Sequence, residues 1–314
     1  MSTPAWDGLP VLATTGVGSL PFVEPADAIA HVTGAYQVPF CPQLPHRDGD
    51  MIQEWLGSDP SRCGWSPDRD RERPVAWDAF VAQMRDDPPA HGMVKLQVTG
   101  PVTLAIALER ACARRGLSAA ARELAAEIAT WLAAGAAGQV GELEALGVHP
   151  ILVVDEPGLA AAGLSREHAA IWDPLRAAAG NWGVHVCGAV PWSLVDEVEP
   201  DVLSFDLTRG ALEPPARQTL DRLVRRGGRV LWGAVDPVRP GDVETAAARL
   251  IAAMFSLGEL RPASHVVVAS LVSPACGSGR LSLEGELRLA ATLDAVAGVV
   301  RDGLAIGRAR QARR

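Results

Sequence analysis

The feature that most constrains this chain is the regular return, in its second half, of a short apolar run followed by a helical pattern. Runs at residues 184–188, 202–206, 230–235 and 265–272 alternate with helical patterns near 213–226, 242–257 and 282–302. Strands joined by helical crossovers must run parallel, so this half reads as successive βα units. Weaker runs at 11–16, 36–40, 93–98 and 149–154 bring the number of predicted strands to eight. Helical patterns begin near residue 25 and cover 102–115, 118–146 and 166–180. Eight such units are what a (β/α)8 TIM barrel requires. The expectation is α/β: a single (β/α)8 barrel spanning residues 1–314, with an elaborated loop after strand two. A doubly wound sheet is the competitor, but no Gly-x-Gly-x-x-Gly follows the first run.

Barrels of this length are common as one domain. The net charge of −8 argues against a nucleic-acid or anionic-membrane surface. The five cysteines (Cys41, Cys63, Cys112, Cys187 and Cys276) are scattered and odd in number, which fits a reducing compartment better than a disulfide framework. No signal-peptide pattern opens the chain, and no apolar run approaches a membrane span. A cytoplasmic protein with no membrane or nucleic-acid partner is expected. Lys95 is the one lysine among 29 basic residues, an exception to a bias toward arginine.

Barrel enzymes carry their chemistry at the carboxyl ends of the strands, and the unusual polar residues fall there. In Val184-His185-Val186-Cys187-Gly188, strand alternation puts His185 and Cys187 on one side, roughly 6.5–7 Å apart. An imidazole and a thiolate so placed can reach one Zn²⁺. Asp206 ends the next run, and Cys276 follows the last one. These four residues are read as meeting at one metal. The plainer reading of each alone is a packed cysteine or a satisfied core histidine.

Six short markers in order resemble the catalytic domain of cobalamin-independent methionine synthase. That family lies in the barrel superfamily that also holds uroporphyrinogen decarboxylase and corrinoid-dependent methyltransferases. The markers are Gly16-Val17-Gly18-Ser19-Leu20-Pro21, Gly100-Pro101-Val102-Thr103, Val154-Asp155-Glu156-Pro157, His185-x-Cys187, Asp201 to Asp206, and Pro274-Ala275-Cys276-Gly277. The resemblance implies zinc on His185, Cys187, Asp206 and Cys276, and a homocysteine thiol methylated to give methionine. It implies that Gly18 and Ser19 cradle the substrate carboxylate and that Asp155 pairs with its ammonium. Glu156 is expected beside Asp155 as a further substrate contact. Asp155 and Asp236 are the candidate catalytic acids.

Three departures bear on the methyl donor. This sequence holds no counterpart of the synthase's amino-terminal half, which helps hold the folate. Val238 stands where the family has a histidine thought to protonate the departing folate. Asp206 stands in place of a glutamate. A folate nitrogen leaves poorly without protonation, so methylcobalamin joins methyl-tetrahydrofolate as a candidate donor. The alternatives are a corrinoid-dependent methyltransferase acting on another thiol, such as coenzyme M, and a zinc-binding barrel without turnover.

Overall fold

The computed structural model describes residue 6 and residues 8–56, 73–111, 119–258 and 263–311. Cys63, Cys112 and most of the predicted elaborated loop lie outside them. Six parallel strands form one sheet in the order β1 to β6: β1 (Met93–Thr99), β2 (His149–Asp155), β3 (Trp182–Val186), β4 (Val202–Asp206), β5 (Arg229–Val235) and β6 (Ser270–Pro274). Before the sheet come α1 (Pro25–Ala35), the short α2 (Pro45–Asp48) and α3 (Gln53–Leu56), and α4 (Trp77–Asp86). The crossovers carry α5 (Pro101–Ala111), α6 (Ala119–Glu144), α7 (Asp173–Ala177), α8 (Trp192–Val198), α9 (Pro214–Arg225), α10 (Val243–Gly258) and α11 (Ala263–Val268). The last helix is α12 (Leu283–Gln311). Proline opens α1 and α9 at the first turn, where its missing N–H has no intrahelical partner to lose.

The eight-stranded barrel expected from the sequence is not what forms, because the regular sheet stops at six strands. Residues 11–16 and 36–40 supply only isolated bridges, Thr14 to Val272 and Phe40 to Lys95. Thr15 N donates to Val272 O at 3.0 Å, Val38 N to Thr14 O at 2.9 Å, and Lys95 N to Pro39 O at 2.8 Å. Pro39 and Pro42 have no N–H to give a ladder, and Leu12 sits at φ 57°, so neither segment sustains a strand. A second correction concerns His265, expected to begin the last strand. It lies instead in α11, where Ala269 N donates to His265 O at 3.1 Å.

The strands are buried on both faces, as helix-covered parallel strands must be. One cluster fills the space between sheet and helices around Trp77, Trp172, Trp182 and Trp232. A second, of Met93, Ile151, Val153, Val202, Leu231 and Leu271 with Ala13 and Val38, closes the opposite face of the strands near their amino ends. Alternation then carries each strand from apolar to polar on that face: Met93, Lys95, Gln97 and Thr99 on β1, and Ile151, Val153 and Asp155 on β2. The polar ends therefore gather above an apolar floor. Among the described residues, no helix is long and apolar enough to cross a membrane.

Candidate active site

A cavity of about 450 Å³ opens at the carboxyl ends of the strands, with Gln97, Thr99, Asp155, His185, Cys187 and Cys276 in its wall. The segment from Val17 to Ser19 forms one side, and Gly277 to Leu281 forms another. These two segments are clamped together: Ser278 N donates to Ser19 O at 3.0 Å, and Gly279 N to Ser19 Oγ at 3.3 Å. A Cβ on Gly277 would collide with Ser19 Oγ, so a glycine is what lets the segments close.

His185 is 3% exposed, and its Nδ1 lies 2.8 Å from Ser204 Oγ. Its Nε2 is buried without a protein partner. Burial, aided by the charge on Lys95, pulls the ring down to about 3, so the imidazole is neutral at physiological pH. A neutral ring with one nitrogen anchored and the other uncommitted is the form in which histidine serves as a ligand.

Cys187, just past β3, and Cys276, in the turn after β6, both line the cavity, close enough to act on each other. The interaction with Cys276, with burial, pushes the Cys187 thiol up, while the same interaction draws Cys276 down to about 7. Asp155 is 9% exposed and its Oδ1 has no partner. Burial pushes its carboxyl up to about 7 against the pull of Lys95, with Cys276 and Glu156 adding to the rise.

The other acids sit differently. Asp206 Oδ1 accepts from Thr208 N at 2.8 Å and Thr208 Oγ1 at 2.6 Å, capping the turn after β4. It is not among the cavity-lining residues. Asp236 Oδ1 accepts from Val238 N at 2.9 Å and Arg239 N at 3.2 Å, and lines a separate hollow of about 250 Å³ with Thr208 and Arg249. Glu156 is fully buried, and its carboxylate accepts from Val102 N, Thr103 N, Thr103 Oγ1 and Trp172 Nε1 at 2.6–3.1 Å. It fastens the start of α5 and stays out of the cavity.

Among the described residues, no three His, Cys, Asp or Glu side chains stand together at the spacing of a ready-made metal site. In kind, the donors nonetheless fit zinc: two sulfurs and an uncommitted neutral imidazole nitrogen on one cavity. Sequence reasoning overlooked Met51, Glu54 and Arg280, which also line the cavity; of His46, Asp48 and Asp50, which lie where the resembling family places a further substrate-contacting acid, Asp50 lines it. Nothing in the local sequence separates the first three from surface residues. Val238 stands at the cavity mouth, 74% exposed.

No family model matches this sequence, and no curated protein matches it. Solved structures do resemble it. A B12-independent methionine synthase from Shewanella sp. W3-18-1, in complex with selenomethionine, superposes with a TM-score of 0.61 at 18% identity, covering 95% of this chain and 100% of that one. A methyltransferase from Methanosarcina mazei gives a TM-score of 0.61 at 14% identity, covering 96% of each. At such identities the likeness is one of fold: this chain has the α/β architecture on which a methionine synthase and a methyltransferase are built.

Proposed function

We propose that this chain is a zinc-dependent methyltransferase that moves a methyl group to the thiol of homocysteine, giving methionine, from methylcobalamin or methyl-tetrahydrofolate. The observation that carries the reading is the convergence, in one cavity, of the Cys187/Cys276 pair and the uncommitted Nε2 of His185. His185, Cys187 and Cys276 would hold the metal, with Asp206 as the fourth ligand after leaving Thr208. Bound zinc supplies Lewis acidity that keeps an incoming sulfur deprotonated at neutral pH.

The protein's own groups account for the rest. Asp155, buried and with Oδ1 free, suits an ammonium group, since a charge-assisted bond in a dry site satisfies both partners. That favours an amino-acid thiol over thiols that carry no ammonium. The substrate sulfur loses its proton, the S–CH₃ bond forms, and the donor keeps the electron pair of the bond that breaks. The exposed Val238 offers no proton to a departing folate, which supports methylcobalamin as the better donor.

Metal analysis of purified protein beside a Cys187→Ala variant tests the reading. One zinc per chain is expected in the first and a large loss in the second. Undiminished zinc in the variant, or methyl transfer by metal-free protein, defeats it.

A further inference from the structure

Every basic residue but one in this chain is an arginine, and the exception is buried under the candidate site. Lys95, on β1, is 2% exposed. Its ammonium donates to Val17 O at 2.6 Å and to Gln97 Oε1 at 2.9 Å, and it lies 5.4 Å from the centre of the Phe40 ring. These direct contacts are two neutral oxygens and a ring face, which is little recompense for a buried charge. An arginine would bring five donors in a planar fork, too many for two acceptors beside a ring, whereas a compact ammonium fits. Packing alone would be served by methionine.

What the ammonium does hold is the peptide between Val17 and Gly18. Among the described residues no peptide bond is cis, so the Gly18 N–H points opposite to the Val17 carbonyl. With that carbonyl drawn down onto Lys95, the N–H is directed up, on the side where Gly18 lines the cavity. Among the described residues, neither Gly18 N nor Ser19 N donates to a protein acceptor. The second contact fixes the same segment from its flank. Gln97, held at Oε1 by Lys95 and through Nε2 by the Cys41 carbonyl, packs so closely that a Cβ on Gly18 would lie 2.9 Å from its Cγ.

We propose that Lys95 is a positioning residue: it holds the Val17–Gly18 peptide so that the amides of Gly18 and Ser19 face the cavity and receive the carboxylate of the bound ligand. The inference rests on the reading of the cavity as an amino-acid thiol site. It assigns the carboxylate end of that ligand to a support beneath it that the ligand never touches.

The test compares L-homocysteine with 3-mercaptopropylamine, the same thiol lacking the carboxylate. Isothermal titration calorimetry is run on the zinc-loaded wild type and Lys95→Met. Loss of the Lys95 charge near Asp155 acts on the ammonium end of both ligands alike, so homocysteine binding should weaken about tenfold more than 3-mercaptopropylamine binding, equivalent to about 1.4 kcal/mol. Equal weakening of both ligands, or of neither, overturns the proposal. Lys95→Gln, which keeps a donor, should show the same selectivity at smaller size and carries the test if the methionine variant does not fold. A readout free of ligand is the amide resonances of Gly18 and Ser19, which must shift in Lys95→Met; unmoved resonances overturn the proposal as well. A wild type that binds neither thiol would refute the proposed function, while the amide resonances would still judge Lys95.

Discussion

Gly233→Ala should damage both the fold and the proposed metal site, through one methyl group. Gly233 lies on β5, opposite Asp206 on one side and Ser273 on the other, where the register with β6 slips between Gly233 and Val235. A Cβ there would stand 2.5 Å from Phe205 O and 2.8 Å from Ala275 Cα, both backbone atoms of neighbouring segments. Real Cβ atoms essentially never come within 3.0 Å of another atom, so the carbonyl must retreat by 0.5 Å and Ala275 by 0.2 Å to reach even that limit. No flexible side chain can absorb the shift. Overpacking of this kind costs about 3 kcal/mol. Ala275 precedes Cys276 and donates its N–H to Val235 O at 2.8 Å, so displacement carries the thiol away from Cys187. Zinc affinity should fall at least about tenfold, the scale seen when a ligand's support is lost. Urea unfolding with the wild-type slope gives the stability change, and competition with a chromophoric chelator gives the affinity. Gly138→Ala, at an exposed α6 position with nothing within 4 Å, is the control and should stabilise by about 0.5–1 kcal/mol. A Gly233→Ala protein within about 0.5 kcal/mol of wild type, with unchanged zinc affinity, would refute the reasoning.

Asp155→Asn should flatten the pH dependence of stability. The native state holds the Asp155 proton more tightly, with a pKa of about 7, than the unfolded chain, where aspartate titrates near 3.9. Stability from this group is thus fully present below about pH 4 and declines as pH rises through 7. Urea midpoints measured from pH 5 to pH 8 should fall less steeply in the variant; Glu156, shifted in the same direction, leaves a residual slope. Parallel profiles would show that Asp155 ionises without penalty. Tyr36→Phe should cost about 1.5–3 kcal/mol, because the Tyr36 hydroxyl donates to buried Glu286 at 2.6 Å and ties the end of α1 to α12. A urea midpoint equal to that of wild type would mean that His31, 2.9 Å from the same oxygen, suffices alone.

The parallel strands were legible wherever a continuous apolar run met a helical crossover, as at Val202–Asp206 and Arg229–Val235. Periodicity misled at residues 11–16, where an apolar run with two threonines mimics a strand edge while the backbone turns. It misled again at Val266-Val267-Val268, β-branched residues that tertiary packing holds in a helix. At the site, the rule that barrel chemistry gathers at strand ends pointed to His185, Cys187, Cys276 and Asp155, which share one cavity. The same rule drew in Asp206 and Asp236, whose carboxylates receive the N–H two residues on, the common habit of aspartate at the start of a turn. Sequence could not tell these uses apart, because a strand-end aspartate serves either. Nor could it show that Glu156, adjacent to Asp155, points the other way into the head of α5.

The bridge at residue 14 and the clamp at Ser19 tie an early part of the chain to segments formed far later. Thr14 waits for Val272, and Ser19 waits for Ser278. On a ribosome, the wall that contains Gly18 and Ser19 can rest early on Gln43 and Lys95, but its clamp to the segment after β6 cannot form until Ser278 has emerged. Such distant pairings close slowly, and the unfinished sheet meanwhile exposes apolar edges. The binding pocket is therefore among the last parts of the molecule to exist, and a nascent chain stalled before residue 270 should hold most of its helices and no site at all.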